Sequence, residues 1–301
     1  MRILLTGGSG LYGHYFLRQN PDPARLKVTA ITRRATALPA ASHSVPMPSV
    51  GDGDVWRVLL HHHRPDVVVN AAAIGDVDMV AREPDAARAV NVDLPLNLLA
   101  LSHEMGYQFI HFSSNAVYGG DEAPYAETAP HAPCHTYGAM KSQVDLALRE
   151  AADRTLIFRP TVGYGWPPAG ARANPLSGAL QHLHAGRTIR QVVDQFENPV
   201  FAEDVAAVLW QAILRGYTGE LNVGGGDAHL SRHQWISSVA ELFGLPASLV
   251  HTARMADFET VVPRPRDTTF DCTRLQRDFD WALCSVIDGA RRMRDAGSSA
   301  G

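Results

Sequence analysis

The chain has 301 residues, of which 46% are hydrophobic and 19% charged, and its net charge is -4. This is the balance of an ordinary globular protein with one large domain or two unequal ones, and the lack of clustered lysine and arginine excludes an electrostatic nucleic-acid partner. We expect no membrane attachment, since no apolar stretch reaches roughly 18 residues, and no signal peptide. The three widely spaced cysteines predict a reducing, cytoplasmic setting.

Strands and helices alternate through the first 160 residues. The predicted strands are short apolar runs at 2–6, 27–31, 66–70 and 109–112. The predicted helices begin near Gly10 or span 55–63 and 84–105. Alternation of this kind with short links predicts an α/β protein built on a Rossmann-type doubly wound parallel sheet.

The pattern loosens after Arg159-Pro160 into loops rich in glycine and proline. Helices are predicted near 176–186, 203–214 and 232–243, with a strand at 220–223. We therefore predict an NAD(P)-binding domain over 1–160, to which segments near 199–225 return. The remainder, 161–301, is predicted to form mainly a smaller substrate-binding domain.

A glycine-rich loop lies directly between the first strand and the first helix. Gly7 suits a tight turn, Gly10 allows close approach of a pyrophosphate, and Gly13 permits close packing of helix on strand. Leu11 and Tyr12 open the helix, whose N-terminal N–H groups would bind the phosphates. Because strand, loop and helix occur together, this segment predicts a dinucleotide site.

The end of the second strand indicates which dinucleotide binds. An acidic residue there would favour NAD, but this chain has Thr32-Arg33-Arg34. The guanidinium groups of Arg33 and Arg34 suit a 2′-phosphate, so NADP is favoured. A solvated basic turn would instead leave NAD open. Asp52 is either a contact to the adenine or a turn residue.

Tyr137 and Lys141 are four residues apart, which places both on one face of a helix. The ammonium group and a nicotinamide ring are expected to lower the pKa of the phenol. The tyrosine could then serve as a general acid or base. Ser114 follows a predicted strand just upstream, and its hydroxyl could bond the same substrate oxygen.

These motifs resemble the extended short-chain dehydrogenase/reductase family, and the resemblance covers nearly the whole chain. The resemblance implies a catalytic triad of Ser114, Tyr137 and Lys141, with the lysine on the nicotinamide ribose. Within the family the pattern is most similar to the dTDP-4-dehydrorhamnose reductase group. The segments that carry this likeness are 64–73, 77–78, 83–84, 124–127 and 194–200. They include Ala71, Ala72 and Ala73, which the resemblance places beside the cofactor.

The resemblance implies NADPH-dependent reduction of the 4-keto group of a nucleotide-linked deoxysugar, and two alternatives stay open. One is a nucleotide-sugar epimerase with tightly bound NAD. The other is a cofactor-binding regulatory subunit, because 264–267 and 271–275 look like the methionine adenosyltransferase β subunit. Asn115 stands where reductases of the group carry an aspartate, which favours a changed substrate or the regulatory role. A homodimer is compatible with either.

Candidate substrate residues lie in both halves of the chain. Asn115, Asn174 and Gln195 could bond sugar hydroxyls, and Arg264 or Arg266 could grip a diphosphate. We expect no metal: His61, His62 and His63 are consecutive on a helix and point about 100° apart, so they cannot share one tetrahedral ion.

Overall fold

The computed structural model describes residues 1–33, 38, 40–41, 43–227 and 229–297. Its strands are β1 (Arg2–Thr6), β2 (Lys27–Thr32), β3 (His43–Pro46), β4 (Val67–Asn70), β5 (Gln108–Phe112), β6 (Thr155–Pro160), β7 (Gly163–Tyr164), β8 (Ile189–Val192), β9 (Phe196–Glu197), β10 (Val200–Phe201), β11 (Gly219–Val223), β12 (Leu230–Ser231) and β13 (Val250–Ala253). Its α-helices are α1 (Leu11–Arg18), α2 (Gly53–His63), α3 (Val77–Arg82), α4 (Pro84–Arg88), α5 (Leu94–Met105), α6 (Thr136–Arg149), α7 (Pro175–His184), α8 (Ala202–Leu214), α9 (Arg232–Leu242), α10 (Thr273–Phe279) and α11 (Val286–Asp295).

Within the described residues, seven strands form one parallel sheet in the order β11-β6-β5-β4-β1-β2-β3. The chain runs outward from β1 to β3 and then crosses back to place β4 on the other side of β1. Loops that leave such a switch point in opposite directions open a crevice at the carboxyl ends of the strands. The predicted Rossmann-type doubly wound sheet is confirmed, and its crevice lies just after Thr6 and Asn70.

Side chains of β1 alternate between two apolar layers on the two faces of the sheet. Ile3 and Leu5 belong to one core cluster and Leu4 to the other, and each is 1% exposed or less. Successive residues of a strand point to opposite faces, so a strand covered on both faces is apolar throughout. This burial explains why continuous apolar runs identified the central strands.

Two elements differ from the sequence-based expectation. β3 is a half-exposed edge strand in which Val45 is the one large aliphatic residue, so it lacks the pattern of a buried strand and was not predicted. The strand predicted at 66–70 as the third is therefore the fourth, β4. The helix predicted over 84–105 contains a π-helical turn, Ala89–Asp93, between α4 and α5. Pro95 lacks the N–H that would bond the Asn91 carbonyl, which accounts for a wider turn at this point.

The chain beyond Pro160 forms small sheets around the crevice. β7 pairs with β10, β8 with β13, and β9 with β12, while β11 returns to the main sheet beside β6. The antiparallel β9–β12 pair brings Glu197 next to the start of α9. Among the described helices, none combines the length and apolar character needed to cross a bilayer.

Candidate functional site

The glycine loop closes tightly on the end of β4. Gly7 has a φ of +75°, and a Cβ there would lie 2.6 Å from the Ala71 carbonyl carbon. A Cβ on Gly13 would lie 2.4 Å from the Gly7 carbonyl oxygen. Gly10 precedes α1, and no side chain of the described residues caps this helix. The loop therefore offers a close backbone cradle and free helix N–H groups, which fits a dinucleotide pyrophosphate.

Replacing Gly13 with Ala is expected to weaken NADPH binding by about 10-fold or more, because overpacking a close backbone contact costs roughly 1–3 kcal/mol. Fluorescence titration with NADPH measures the effect. Gly178→Ala in α7 is the matched control, since a Cβ at Gly178 would have its nearest contact, Ala173 Cβ, at an ordinary 3.7 Å. Unchanged NADPH affinity in Gly13→Ala would contradict this account of the loop.

The residues expected to contact the ends of the cofactor lie around this loop. Ala71 and Ala72 donate their backbone N–H groups to Thr6, at 3.2 Å each, and Ala73 follows them. Arg33 is exposed one residue beyond β2, whereas Arg34 lies outside the described residues. Tyr12 of α1 donates its hydroxyl to the Thr161 carbonyl at 3.0 Å.

Asp52 caps α2, accepting hydrogen bonds from the backbone N–H groups of Asp54 and Val55 at 3.1 Å each. The side chain of Asp52 therefore has the turn role, which is one of the two roles predicted for it from the sequence. A contact from this exposed cap to an adenine stays a prediction.

Ser114, Tyr137 and Lys141 come together at the carboxyl end of β5. Tyr137 is the second residue of α6, and Ser114 and Tyr137 both line one cleft. Lys141, one turn further along α6, is 1% exposed. Its ammonium group donates to the Phe112 carbonyl at 2.8 Å and lies 6.0 Å from the centre of the Tyr137 ring.

Burial governs the ionisation of this pair. It raises the pKa of Tyr137, a shift that hydrogen bonding by the Ser114 hydroxyl opposes. The lowering expected from the Lys141 ammonium and a nicotinamide ring stays a prediction for the protein with its cofactor bound. Burial also lowers the pKa of Lys141 to about 8, against the opposing charge of Asp145.

A buried ion network supports the pair from below. Asp145, four residues beyond Lys141 on α6, accepts from the Ser113 hydroxyl at 2.7 Å and from Arg159 Nε at 2.8 Å. The side chains of Asp145 and Arg159 are both 0% exposed, and Arg159 also pairs with Glu220. Burial disfavours the charge on Arg159, but Asp145 and Glu220 outweigh it and raise its pKa. The network thus anchors the residue that precedes Ser114.

The cleft has a volume of about 410 Å³ and is lined from both halves of the chain. Of the predicted site residues it contains Ser114, Asn115, Tyr137, Gln195, Arg264 and Tyr12. It also contains residues that were not predicted, namely His135, Glu197, Arg232 and Thr268.

Asn115 joins the two walls of the cleft. Its amide nitrogen donates to the Thr268 hydroxyl at 2.7 Å, and its amide oxygen accepts from Ser114 at 3.3 Å. A carboxylate could accept here but not donate. The amide therefore links the Ser114 loop to the segment around Thr268 as the donor, whereas an aspartate could only accept from the Thr268 hydroxyl.

Arg264 crosses the mouth of the cleft and donates to the Asp78 carboxylate at 2.7 Å. Asn174 instead caps α7, accepting from the Ser177 N–H at 3.0 Å and donating to the Gly165 carbonyl at 2.7 Å. Arg266 is exposed. The structure does not bring Asn174 or Arg266 into the described lining of the cleft, and the Asn174 side chain is occupied by its capping bond.

The resemblance seen in the sequence is borne out by comparison with known proteins. A model of the RmlD substrate binding domain matches residues 1–296. The chain belongs to this family. Its relatives include the probable low-salt glycan biosynthesis reductase Agl14 of Haloferax volcanii, 28% identical over 295 residues that cover 96% of this chain and 95% of that protein.

Two other similarities mark the range of the RmlD-type proteins. Methionine adenosyltransferase 2 subunit beta of Pongo abelii is 26% identical over 285 residues, covering 91% of this chain and 81% of that protein. The crystal structure of dTDP-4-dehydrorhamnose reductase from Bacillus anthracis in complex with NADP superposes with a TM-score of 0.86 at 19% identity, covering 98% of this chain and 99% of that one. The relatives of this chain thus include proteins named as reductases and proteins named as a subunit.

Two buried polar residues, Asp145 and Asn91, support this RmlD-type site and are not among the predicted site residues. Asp145 continues the spacing of Tyr137 and Lys141 by one further helical turn, a usable signal. The Asn91 amide accepts from the Ile74 N–H at 2.9 Å and donates to the Ile74 carbonyl at 3.0 Å. This holds the loop after β4 at the rim of the cleft.

His131 gives the RmlD-type chain a pH-dependent stability. Its side chain is 4% exposed, Ser142 lies 2.9 Å from Nδ1, and Arg149 lies 3.2 Å from Nε2. Arginine only donates, so Nε2 accepts and the ring is neutral. Burial, followed by the charges of Arg159 and Arg149, lowers its pKa from 6.5 to about 4.

Between those two pH values the unfolded chain binds the proton and the folded chain does not, so stability rises with pH and is lost as pH falls toward 4. We expect His131→Gln to flatten this dependence by up to about 1.4 kcal/mol per pH unit. Urea unfolding at several pH values measures it, with the exposed His62 replaced by Gln as control. Parallel curves for wild type and His131→Gln would refute the assignment.

Proposed function

We propose that this protein is an NADPH-dependent reductase of the 4-keto group of a nucleotide-activated, dTDP-type deoxysugar. The observation that carries the proposal is the convergence of Ser114 and Tyr137 on one cleft, with Lys141 beneath Tyr137. Support also comes from the glycine cradle after β1. Relatives named as reductases agree with it.

The cofactor would lie along the loop of Gly7, Gly10 and Gly13, with its 2′-phosphate toward Arg33. Bound NADPH would supply the hydride that reduces the sugar carbonyl. Ala71 to Ala73 would border the same groove, where the backbone N–H groups of Ala71 and Ala72 are held by Thr6. Arg34 is proposed as a second contact to the phosphate.

Tyr137 acts in this proposal as the general acid. Burial raises the pKa of its phenol, so the group is protonated near neutral pH and can give its proton to the substrate oxygen. Ser114 donates a hydrogen bond to the same oxygen and polarises the carbonyl. Lys141 orients the cofactor ribose and keeps a positive charge close to the ring of Tyr137.

The substrate would enter between Arg264 and Gln195. Arg264 is 24% exposed in its side chain while paired with Asp78, so it can offer donors to a diphosphate. Gln195 and Asn115 supply hydrogen bonds for sugar hydroxyls.

The simplest test mixes purified protein, NADPH and a dTDP-4-keto-6-deoxyhexose and follows the nicotinamide absorbance. Loss of this absorbance supports the proposal. Its persistence across a panel of such sugars, with NADPH bound, contradicts the proposal.

A second candidate function is that of a cofactor-binding regulatory subunit. It is favoured by 26% identity over 91% of this chain to methionine adenosyltransferase 2 subunit beta. The two functions separate on one variant. If Tyr137→Phe leaves the biological activity intact, the regulatory role is supported and the reductase role is contradicted.

A further inference from the structure

A buried ion pair that the proposed chemistry does not use lies in the wall of the cleft. Arg232 Nη2 donates to Glu197 Oε1 at 2.7 Å, and both residues line the pocket that contains Tyr137. The Glu197 side chain is 5% exposed and that of Arg232 is 23% exposed. The pair therefore lines the cleft, while most of the surface of both side chains is buried in the protein.

The backbone fixes both groups in place. Glu197 belongs to β9 and lies opposite Leu230 of β12, and Arg232 is the first residue of α9 directly after β12. Arg232 also donates its backbone N–H to the Gln195 carbonyl at 3.2 Å. Its guanidinium lies 5.9 Å from the Trp235 ring, which restricts its movement from the other side.

Stability alone is a poor explanation for this arrangement. A positive charge in the first turn of a helix opposes the helix dipole, and burying a carboxylate carries a desolvation cost that pairing only partly offsets. Burial indeed raises the pKa of Glu197, although Arg232 opposes that shift. The pair has a free-energy cost in the folded protein and is open to the cleft. We therefore look for its role in binding a ligand there.

The pair presents two complementary groups side by side. Glu197 Oε1 accepts the hydrogen bond from Arg232, and Oε2 accepts no hydrogen bond within the described residues. Arg232 has donors beyond the one given to Glu197. An acceptor next to a donor matches two hydroxyls on neighbouring ring carbons, one donating to the carboxylate and one accepting from the guanidinium.

We propose that Glu197 and Arg232 together bind a vicinal diol of the substrate sugar and select sugars that keep it. Resting on the proposed function, the assignment becomes specific: a 4-keto-6-deoxyhexose retains one vicinal diol, at C2 and C3. The substrate class is therefore a nucleotide-linked 4-keto-6-deoxyhexose with both hydroxyls present, in preference to 2-deoxy or 3-deoxy sugars.

The test is binding, measured by calorimetry on the full chain with sugar nucleotides that cannot be reduced. The probes are a dTDP-4,6-dideoxyhexose, whose one vicinal diol is at C2 and C3, its 2-deoxy and 3-deoxy analogues, and dTDP alone. Wild type is expected to bind the diol about 10- to 100-fold more tightly than either deoxy analogue, the usual effect of a hydrogen bond to a charged group. Equal affinities for the three sugars would overturn the proposal.

Variants show whether the pair is responsible. In Glu197→Ala and Arg232→Met the ratio of diol to deoxy affinity is expected to fall toward 1, with Glu197→Gln in between because it keeps an acceptor. Ratios are taken within each variant, so a general loss of stability cancels, and Glu197→Gln, which keeps the size of the side chain, still tests the pair if Arg232→Met does not fold. Asp204→Asn is the control: Asp204 is 9% exposed and pairs with Arg292 at 2.6 Å, outside the described lining of the cleft.

Two outcomes would contradict the proposal. An unchanged ratio in Glu197→Ala and Arg232→Met would make the pair structural, and an equal loss of affinity for dTDP alone would assign Arg232 to the diphosphate. Failure of the reductase proposal is distinguishable, since a diol preference in binding without NADPH oxidation leaves this inference standing. Reduction of the keto sugar without a diol preference in binding would support the reductase proposal and overturn the diol inference.

Discussion

Replacing Tyr137 with Phe is expected to lower kcat for the keto sugar by about 100- to 10,000-fold, the usual loss when a general acid is removed. The substitution keeps the ring and its packing near Lys141 and deletes only the hydroxyl. The proton is needed as the carbonyl is reduced rather than when the sugar binds, so KM should change little. Steady-state kinetics with NADPH and a dTDP-4-keto-6-deoxyhexose give both values.

Tyr217→Phe is the matched control for this variant. The Tyr217 hydroxyl donates to Asp278 at 2.7 Å, and Tyr217 lies outside the described lining of the cleft. We expect it to keep near wild-type kcat. A Tyr137→Phe protein that still binds NADPH and reduces the sugar at the wild-type rate would rule out Tyr137 as the acid.

The largest loss of stability is expected from Arg159→Met, about 3–5 kcal/mol in the free energy of unfolding. The substitution leaves Asp145, at 0% exposure, with a buried charge and without its guanidinium partner. It also leaves Glu220 without one of its two arginines. Because Asp145 holds the Ser113 hydroxyl, activity should fall together with stability. Chemical denaturation followed by circular dichroism measures the first effect.

Arg57→Met provides the comparison on the surface. Arg57 also pairs with two acids, Asp54 and Glu104, but its side chain is 43% exposed and those of the acids 89% and 46%. Solvent screening leaves exposed pairs worth about 1 kcal/mol or less. Similar losses in Arg57→Met and Arg159→Met would mean that the buried network is not a support of the site.

The predicted residues that the structure brings together are those set by local spacing. Gly7 to Gly13 follow a strand and open a helix, and Tyr137 and Lys141 share one helical face, so their proximity needs no knowledge of the tertiary fold. Ser114 was found because carboxyl ends of parallel strands meet at one edge of the sheet. These rules are enough to predict the sheet and one side of the cleft.

The other side of the cleft depends on contacts between distant segments. Glu197 and Arg232 meet through the β9–β12 pairing, and β9 and β12 contain two residues each, too few for a periodic pattern. Asparagine suits both a helix cap and a sugar contact, and in the structure Asn174, predicted as a possible sugar contact, caps α7. The pKa of Tyr137 depends on burial, which spacing does not report.

The most direct test of the reductase proposal follows a labelled hydrogen. The protein is incubated with NADPH deuterated at the transferable position and a dTDP-4-keto-6-deoxyhexose, and the sugar is examined by mass spectrometry and NMR. The account predicts one deuterium on the carbon that carried the carbonyl, with Tyr137→Phe forming this product at least about 100-fold more slowly. Recovery of unlabelled keto sugar from wild type, with NADPH and sugar both shown to bind, would contradict it.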